Sequence, residues 1–355
     1  MSAEILARLP EALLPWYADN RRDLPWRRDR EPYHIWVSEI MLQQTRVEAV
    51  KGYYTRFLEA LPTVEALAAA PEDQLRKLWQ GLGYYNRVLN MKKAAVILCR
   101  DHGGVFPRDR AALLALPGIG AYTAGAIGSI AFDLPTPAVD GNVLRVMARL
   151  LTIRTPVETP AEKKRIEAAL EAVYPPGQCG AFTQALMELG ATVCGPNGKP
   201  QCGRCPCVGF CLGRAQGQPE LLPVRLPKRG RRTEERTVFL LRCGNRYAFV
   251  KRPERGLLAG LWEFPNVPGY LDLPQALAWA EAQGLAPEGP ERVVERQHIF
   301  THVLWELRCY YLTCREMPGG FTWADREQAE RELALPSAFK QFWDLLPFDN
   351  GGEIC

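Results

Sequence analysis

The chain has 355 residues, of which 47% are hydrophobic and 24% are charged. This composition excludes a disordered or collagen-like protein and suits two or three folded domains. The formal net charge is only +4, but residues 1–233 hold 31 Lys and Arg against 22 Asp and Glu, and the remainder holds 13 against 18. The first part is therefore +9 and the second −5, so we expect a basic face for an anionic partner, such as nucleic acid, on the first part.

The N-terminal residues and the cysteines indicate the cellular compartment of the protein. The first residues carry an acid at Glu4 and have no basic n-region, apolar core or cleavage site, so they do not form a secretory signal. The uncharged stretch 111–132 is interrupted by Pro117 and several glycines, which leaves too short a helix to cross a bilayer. We expect a cytosolic protein without a membrane association. In a reducing compartment, a tight group of cysteines indicates a metal site rather than disulfides.

Successive amphipathic helices are predicted from about residue 5 to residue 187. Apolar residues recur there at intervals near 3.6, and short Pro and Gly breaks separate the segments. The clearest patterns are VEALAAAPEDQLRKLWQGL, RVLNMKKAAVILCRDHG and EKKRIEAALEAVY. This part of the chain is therefore predicted to be all-α.

Two carboxylates in the helical part are candidates for acid and base chemistry. Glu39 lies inside the apolar stretch YHIWVSEIMLQQT, where desolvation would raise its pKa and keep it protonated near neutrality, as a general acid requires. The alternative is an exposed glutamate in a first helical turn after Ser38. Asp140 directly precedes the periodic segment GNVLRVMARLL, so it is either a helix N-cap or a capping residue that also faces a cleft.

The stretch LPGIGAYTAG lies between two helical patterns. Gly118 and Gly120 permit a tight turn whose exposed N–H groups would seat a phosphate at a helix N-terminus. A plain helix–helix turn is the alternative. Contact with the DNA backbone is the better interpretation in a basic domain that also carries a cysteine cluster.

Four cysteines fall within 18 residues, at intervals of seven, two and five intervening residues: Cys194, Cys202, Cys205 and Cys211. Zinc is one interpretation, but zinc sites more often pair two CxxC knuckles, and here only one CxxC is present. Four clustered thiolates suit a 4Fe-4S cluster better. Cys207 is interpreted as a free thiol, because its use would leave two ligands only one residue apart.

The composition and the hydrophobic periodicity of the sequence change after the cysteines. Residues 216–233 contain three prolines and little periodicity, which predicts a linker between a helical domain at 1–215, including the cysteine segment 194–211, and a second domain at 234–355. In the second domain, RTVFLLRC and RYAFVKR flank a Gly-Asn turn, and IFTHVLWELRCYYLTC is rich in aromatic and β-branched residues. Helical patterns at PQALAWAEAQGL and SAFKQFWDLL make this domain α+β.

Several motifs in register now identify a family. SEIMLQQT, GLGYYNR, LPGIGAYTAG, VDGNV, QALMELGA and the four-cysteine segment closely resemble the MutY-type adenine DNA glycosylases of the helix-hairpin-helix superfamily. The resemblance covers the chain from about Trp16 to Cys211, and the second domain adds to it. It implies an all-α helix-hairpin-helix glycosylase domain with a four-cysteine iron–sulfur segment, followed by an α+β Nudix-like domain.

The resemblance implies hydrolysis of the N-glycosidic bond of adenine mispaired with 8-oxoguanine or guanine in duplex DNA, after the adenine is flipped out. A protonated Glu39 would deliver a proton to the purine, because adenine is a poor leaving anion. Asp140 would stabilise the oxocarbenium-like sugar. The implied cofactor is a 4Fe-4S cluster on the four cysteines named above. We expect a monomer that associates with the nucleoid of a bacterial cell through its DNA substrate.

The motifs also imply roles for other residues. Tyr122 and Asn142 would flank the catalytic carboxylates. Arg27 and Gln184 would contact the adenine or its supporting groups. Gln44 and Tyr84 match the positions that enter the base stack beside the lesion pair, where a wedge offsets part of the unstacking cost of a few kcal/mol.

Two departures from the family pattern lie near the cluster and in the second domain. The first cysteine interval has seven residues where the family usually has six, and the glycines in GPNGKPQ should absorb the extra residue as a bulge. In the second domain, Phe300, Thr301 and His302 lie where the family commonly has Phe-Ser-His. These residues are candidates for reading 8-oxoguanine, and for Phe300 packing in the sheet is the alternative.

Two other functions compete with an adenine glycosylase. A bifunctional endonuclease III-like pyrimidine glycosylase and lyase would need a hairpin lysine where this chain has Tyr122. A non-catalytic iron–sulfur DNA-binding protein would not need acids at both Glu39 and Asp140.

A Nudix hydrolase site would need several glutamates on one helix. Residues 265–284 contain only Asp272 and Glu281, so we expect the second domain to recognise rather than hydrolyse.

Overall fold

A computed structural model describes residues 3–227 and 230–346 of the chain. The chain divides into two compact units, one formed by residues 1–70 and 86–227, the other by residues 71–85 and 228–355. The sequence boundaries at 215 and 234 do not anticipate that the short segment 71–85 belongs with the second unit.

The helices of the described residues lie in both units. The helix α6 belongs to the second unit together with α14, α15 and α16, and the others form the first unit. In chain order they are α1 (Ala3–Ala7), α2 (Leu9–Asn20), α3 (Pro32–Leu42), α4 (Val47–Ala60), α5 (Val64–Ala69), α6 (Glu72–Leu78), α7 (Asn86–His102), α8 (Arg110–Leu114), α9 (Ala121–Ala126), α10 (Gly141–Leu150), α11 (Pro160–Glu171), α12 (Cys179–Thr192), α13 (Leu212–Ala215), α14 (Leu273–Ala282), α15 (Arg326–Glu332) and α16 (Ser337–Trp343).

The predicted helical segment VEALAAAPEDQLRKLWQGL is interrupted in the structure. The helix α5 ends at Ala69, Ala70 is extended, and α6 begins only after Pro71. The residue before a proline is pushed out of the helical region by the proline ring, so the break follows from the local chemistry. This break is also the boundary between the two units.

The core of the first unit forms where α2, α10, α11 and α12 pack together. The helix α10 is buried at every position from Val143 to Leu150. A helix that is surrounded on all sides has a fixed position, and so does the residue that caps its N-terminus. That residue is Asp140.

The glycine-rich stretch forms a turn between α8 and α9, and α9 continues into a π-helical turn at Ile127–Ala131. Gly118 has φ +78°, and an added Cβ would lie 2.8 Å from the Cβ of Asn90. Both the backbone conformation and the space therefore require glycine there. Among the described residues, no helix is long and apolar enough to cross a membrane.

The second unit contains a seven-stranded sheet with the order β3-β2-β1-β6-β5, in which β4 also pairs with β1 and β7 pairs with β2. The strands β1 and β6 run parallel and the other pairs are antiparallel, so the sheet is mixed. The bounds are β1 (Arg232–Cys243), β2 (Arg246–Lys251), β3 (Trp262–Glu263), β4 (Asn266–Pro268), β5 (Pro287–Ile299), β6 (Val303–Cys314) and β7 (Thr322–Asp325). The predicted Gly-Asn turn joins β1 to β2.

Both faces of this sheet are covered. Val238 and Leu240 of β1 belong to one core cluster with residues of α16, whereas Phe239 and Leu241 belong to another with residues of α14. Successive residues of a strand point to opposite faces, which explains the continuous apolar run in β1. The predicted α+β architecture of the second domain is therefore confirmed.

The predicted linker 216–233 is not uniform in structure. Its first part packs in the first unit, where Leu222 is buried and Arg149 donates to the carbonyl oxygens of Pro219 and Leu222 at 2.9 and 3.0 Å. Its last residues already belong to β1, which begins at Arg232.

Candidate active site and cysteine centre

Glu39 lies in the middle of α3, a helix whose residues from Ile35 to Met41 are all buried. Only 6% of its surface is exposed, and its Oε2 accepts a hydrogen bond from the hydroxyl of Tyr122 on α9. Burial raises the pKa of Glu39 to about 7, against a smaller opposing effect of the Tyr122 hydrogen bond. A substantial share of Glu39 is therefore protonated near neutral pH, as the sequence predicts for a general acid.

Asp140 caps α10 with one carboxylate oxygen and accepts another hydrogen bond with the second oxygen. Its Oδ1 accepts from the backbone N–H of Val143 at 2.8 Å, and its Oδ2 accepts from Nδ2 of Asn142 at 2.6 Å. Burial raises the pKa of Asp140, while these two hydrogen bonds act in the opposite direction. The N-cap interpretation is therefore confirmed, and the carboxylate lies close enough to Glu39 to raise the pKa of that residue.

The two carboxylates influence each other. The negative charge of Asp140 contributes to the raised pKa of Glu39. Neighbouring acids whose environments differ in this way separate into one proton donor and one anion. The structure therefore brings together Glu39, Tyr122, Asp140 and Asn142, and the arrangement suits chemistry that protonates a leaving group and stabilises a cation.

Arg27 and Gln184 both contact the side chain of Tyr17. The Tyr17 hydroxyl donates to Oε1 of Gln184 at 3.1 Å, and the guanidinium of Arg27 lies 5.6 Å from the centre of the Tyr17 ring. Arg27 is close enough to lower the pKa of Glu39. Arg27 therefore lies near Glu39, and Gln184 is linked to Arg27 through the Tyr17 side chain.

Glu188 is a residue of this region that the sequence analysis missed. Its side chain is fully buried on α12, and its carboxylate accepts from Arg22 at 2.7 Å and from Arg27 at 2.7 Å. Burial opposes ionisation, but the hydrogen bonds from the two arginines outweigh it and hold the pKa of Glu188 at about 2. The signal was present, because Glu188 is an acid inside an apolar helix, as Glu39 is, four residues after Gln184.

A chain of hydrogen bonds runs from Asp140 toward the cysteines. Asn142 donates to Asp140 and accepts from Arg145 at 2.8 Å. Arg145 also donates to the carbonyl oxygen of Cys194 at 2.8 Å. Cys194 is therefore connected to the carboxylate of Asp140 through three polar contacts between buried or half-buried groups.

The four predicted cysteines line one cavity, together with Arg149, Arg214 and apolar residues. Arg149 is buried and lies 3.3 Å from the sulfur of Cys194. Cys207 is not among the residues that line this cavity, but it is buried next to them and its side chain contacts that of Cys205. In the described parts of the chain, no three His, Cys, Asp or Glu side chains are arranged to hold a single metal ion.

Three other predicted residues lie at turns. Gly118 and Gly120 precede α9, so the turn that contains them is two residues from Tyr122. Gln44 is exposed just after α3 and has φ +59°. Arg87, which the sequence analysis also missed, donates to the carbonyl oxygens of Ile40 and Gln43 at 2.6 and 2.7 Å and so holds the end of α3 that leads to Gln44.

The predicted lesion-reading residues lie in the second unit, in the turn between β5 and β6. The N–H of Phe300 donates to the carbonyl oxygen of Val303 at 2.8 Å, and the Phe300 ring packs edge-on against Trp305 at 4.9 Å. Phe300 is therefore in part a packing residue, as the alternative interpretation proposed. Thr301 and His302 are exposed. Tyr84 belongs to this unit and Gln44 to the other, so the structure does not join the two wedge candidates within one unit.

Comparison with known proteins identifies the family of the chain. Residues 37–176 match the profile of the HhH-GPD superfamily base excision DNA repair proteins, and residues 237–345 match the NUDIX domain. The chain is 34% identical to the adenine DNA glycosylase of Rattus norvegicus, over 93% of this chain and 77% of that protein. It is 34% identical to the human enzyme of the same name, over 95% and 74%. The chain belongs to the adenine DNA glycosylase family.

A bacterial adenine DNA glycosylase, from Buchnera aphidicola subsp. Acyrthosiphon pisum, is 31% identical over 83% of both chains. Among solved structures, a thermostable thymine-DNA glycosylase is 31% identical with a TM-score of 0.55, over 60% of this adenine DNA glycosylase and 98% of that chain. A non-covalent endonuclease III–DNA complex is 25% identical with a TM-score of 0.52, over 61% and 98%. The helix-hairpin-helix fold predicted from the sequence is therefore confirmed.

Proposed function

We propose that this adenine DNA glycosylase removes adenine that faces 8-oxoguanine or guanine in duplex DNA, and that it acts as a monofunctional hydrolase. The observation that carries this proposal is the buried Glu39, which has a pKa of about 7 and lies beside a second carboxylate, that of Asp140. A group that is protonated near the working pH is the acid that departure of a purine requires.

Access to the bond begins with extrusion of the adenine nucleotide from the duplex. Backbone N–H groups near Gly118 and Gly120 bind a phosphate of the adenine strand, since a tight turn at a helix N-terminus favours anions. Gln44 and Tyr84 enter the stack and fill the space that the base vacates. Both side chains are exposed, which this role requires.

Bond cleavage then uses the two carboxyl groups in different protonation states. Glu39 donates its proton to a ring nitrogen of adenine, so the base leaves as a neutral molecule. The Tyr122 hydroxyl, which donates to Glu39, fixes the direction of the carboxyl group. Arg27 and Gln184 hold the base in place, with Arg27 itself anchored on Glu188.

The sugar that remains carries positive charge at C1′ until water adds to it. The carboxylate of Asp140 stabilises this cation, and its orientation is set by the Val143 N–H and by Asn142. Tyr122 offers no amine, so no Schiff base to the sugar forms from that position. Strand cleavage is therefore not part of the proposed reaction.

The rate of base removal should depend on pH in a way that Glu39 determines. Above about pH 7, the second-order rate constant should fall about tenfold per pH unit, because only the protonated carboxyl donates. Toward acid pH the rate should fall as Asp140 is protonated, since its pKa is raised from the ordinary value. The measurement is the initial rate at limiting duplex from about pH 4 to pH 9. A flat profile above pH 7 would contradict this assignment.

We propose that Cys194, Cys202, Cys205 and Cys211 hold a 4Fe-4S cluster. These four cysteines line one cavity, and four clustered cysteines with a single CxxC suit a 4Fe-4S cluster better than a zinc ion. Arg149 places a positive charge beside the thiolates. A bound cluster supplies iron–thiolate bonds that cross-link residues 194–211, and no step of base removal passes through it.

The cluster proposal predicts the metal content of the protein. Purified anaerobically, the chain should contain about four irons, with broad visible absorption. Cys207→Ser should keep the iron because Cys207 lies outside the cavity lining, whereas Cys202→Ser should lose it. Stoichiometric zinc in protein made with ample iron, or loss of iron in Cys207→Ser, would show that the ligands are misassigned.

The second unit reads the base opposite the adenine. Residues 234–355 carry a net charge of −5, which disfavours a general hold on phosphates, so their contribution comes from specific contacts. The 8-oxo lesion differs from guanine by a carbonyl and a ring N–H, and the exposed Thr301 and His302 offer polar groups to both. The helix α14 contains one acid, Glu281, so nucleotide hydrolysis at this unit is disfavoured.

The variant Thr301→Ala with His302→Ala tests this proposal. We expect the preference for adenine opposite 8-oxoguanine over adenine opposite guanine to fall about fivefold to a hundredfold, since one good contact to a base discriminates by about 1 to 3 kcal/mol. Activity on adenine opposite guanine should persist. The measurement is the ratio of single-turnover rates on the two duplexes. An unchanged ratio would place lesion recognition outside this turn.

We further propose that the enzyme acts as a monomer in the cytoplasm of a bacterial cell, in association with the nucleoid. The support is the basic first part of the chain, which suits DNA.

A further inference from the structure

The segment 71–85, which consists of α6 and the turn after it, is fixed to the rest of the second unit by long polar side chains. Nζ of Lys77 donates to the carbonyl oxygen of Leu333 at 3.0 Å, and Nε2 of Gln80 donates to that of Leu335 at 2.8 Å. Both acceptors lie between α15 and α16. These bonds fix one face of α6.

Arg76 fixes α6 to the loop after β2. Its side chain is only 3% exposed, and its guanidinium contacts Glu72 and Asp73 on α6 and Glu254 on the loop, at distances of 2.9, 3.1 and 2.9 Å. Lys251 in turn binds Asp73 at 2.9 Å. Arg76 of α6 thus pairs with Glu254 of the loop, and Asp73 of α6 pairs with Lys251 at the end of β2. These two ion pairs fix the position of α6 relative to β2 and the loop.

The turn that follows α6 ends at Tyr84. Nε1 of Trp79 donates to the carbonyl oxygen of Gly83 at 3.1 Å and closes the turn. Tyr84 itself has φ +47°, a left-handed conformation that tyrosine seldom adopts. Such a conformation persists only where the surroundings enforce it.

The Tyr84 side chain is 49% exposed, yet its hydroxyl lies 2.6 Å from Oγ1 of Thr301. A half-exposed aromatic side chain normally samples several rotamers, and ordering it on binding costs entropy. A Tyr84 that is already held against Thr301 does not incur this cost when DNA binds.

We propose that Arg76 is a positioning residue for lesion recognition, because it clamps α6 to the 251–254 loop and thereby holds Tyr84 against Thr301 before DNA binds. Tyr84 and Thr301 then form one surface for the strand opposite the adenine. Arg76 is buried and acts through Tyr84. This inference rests on the proposed function, in which Thr301 reads the base opposite the adenine and Tyr84 enters the base stack.

The test compares single-turnover rates on adenine opposite 8-oxoguanine and adenine opposite guanine. Arg76→Met removes the guanidinium and keeps an apolar stem, and we expect the preference for 8-oxoguanine to fall about fivefold, the loss typical of one hydrogen-bonded contact. Arg76→Lys should restore part of the preference. Arg100→Met removes an exposed, ion-paired arginine from the first unit and should leave the ratio unchanged.

A second arm distinguishes positioning from mere stabilisation. If Arg76 acts through Tyr84, Arg76→Met should add little to the effect of Tyr84→Phe, which removes the hydroxyl that contacts Thr301. Additive effects, or an equal loss of rate on both duplexes, would overturn the proposal. If Arg76→Met does not fold, Glu254→Gln removes the partner on the exposed side, and the same criteria apply to it.

The wild-type protein distinguishes a failure of the proposed lesion recognition from a failure of the role of Arg76. A wild type without any preference between the duplexes would overturn the proposed lesion recognition, and the role of Arg76 with it. A clear preference in the wild type that survives in the folded Arg76→Met variant would overturn the role of Arg76 alone.

Discussion

Glu39→Gln should lower adenine release by about two to four orders of magnitude, the contribution that general acid catalysis typically makes. The amide has almost the shape of the carboxyl, and its oxygen still accepts from the Tyr122 hydroxyl, so the packing of α3 should persist. It has no acidic proton to give to the purine. The measurement is the single-turnover rate on adenine opposite 8-oxoguanine, together with duplex affinity, which should be nearly unchanged.

Glu31→Gln is the matched control, because Glu31 is exposed at the start of the same helix and its side chain makes no capping bond. It should keep the wild-type rate. A Glu39→Gln protein that turns over at a near-normal rate would remove Glu39 from the role of acid.

Asp140→Asn should lower the rate by about two to three orders of magnitude, as loss of one preorganised electrostatic stabiliser typically does. Asparagine caps helices about as well as aspartate, so it can still accept from the Val143 N–H and α10 should remain in place. It loses the negative charge that stabilises the oxocarbenium-like sugar. Single-turnover rates and a thermal melt of the same preparation measure the two effects separately.

The control for Asp140→Asn is Asp109→Asn. Asp109 caps α8 through the N–H of Ala112 at 2.9 Å, so the substitution makes the same chemical change at another N-cap. We expect no change in rate from Asp109→Asn. If both variants lost activity in parallel with a lower melting temperature, the role of Asp140 would be reduced to helix capping.

Local patterns predicted a large part of the fold and of the site. An acid within an apolar helix identified Glu39, and the residue before a periodic helix identified Asp140 as a cap. The Gly-Asn pair identified the hairpin of β1 and β2, whose two strands are adjacent in sequence. Each of these features is determined by residues within one helix or one turn.

Features that depend on residues far apart in the chain were not predicted. The parallel pairing of β1 with β6 joins residues about seventy positions apart, and nothing local to either strand selects it. The same holds for Arg76 and Glu254, which are 178 positions apart and place segment 71–85 in the second unit. Glu188 lies inside an apolar helix, as Glu39 does, but its pairing with two arginines from another segment of the chain is not visible in the local sequence.

We propose that the chain releases adenine by hydrolysis and does not cut the strand. The most direct measurement incubates the protein with duplexes that contain adenine opposite 8-oxoguanine, adenine opposite guanine, or thymine glycol, and analyses the strands with and without alkali. We expect free adenine from the first two duplexes, faster from the first, with strand breaks only after alkali and no reaction on thymine glycol. Strand cleavage without alkali, or release of thymine glycol in place of adenine, would contradict it.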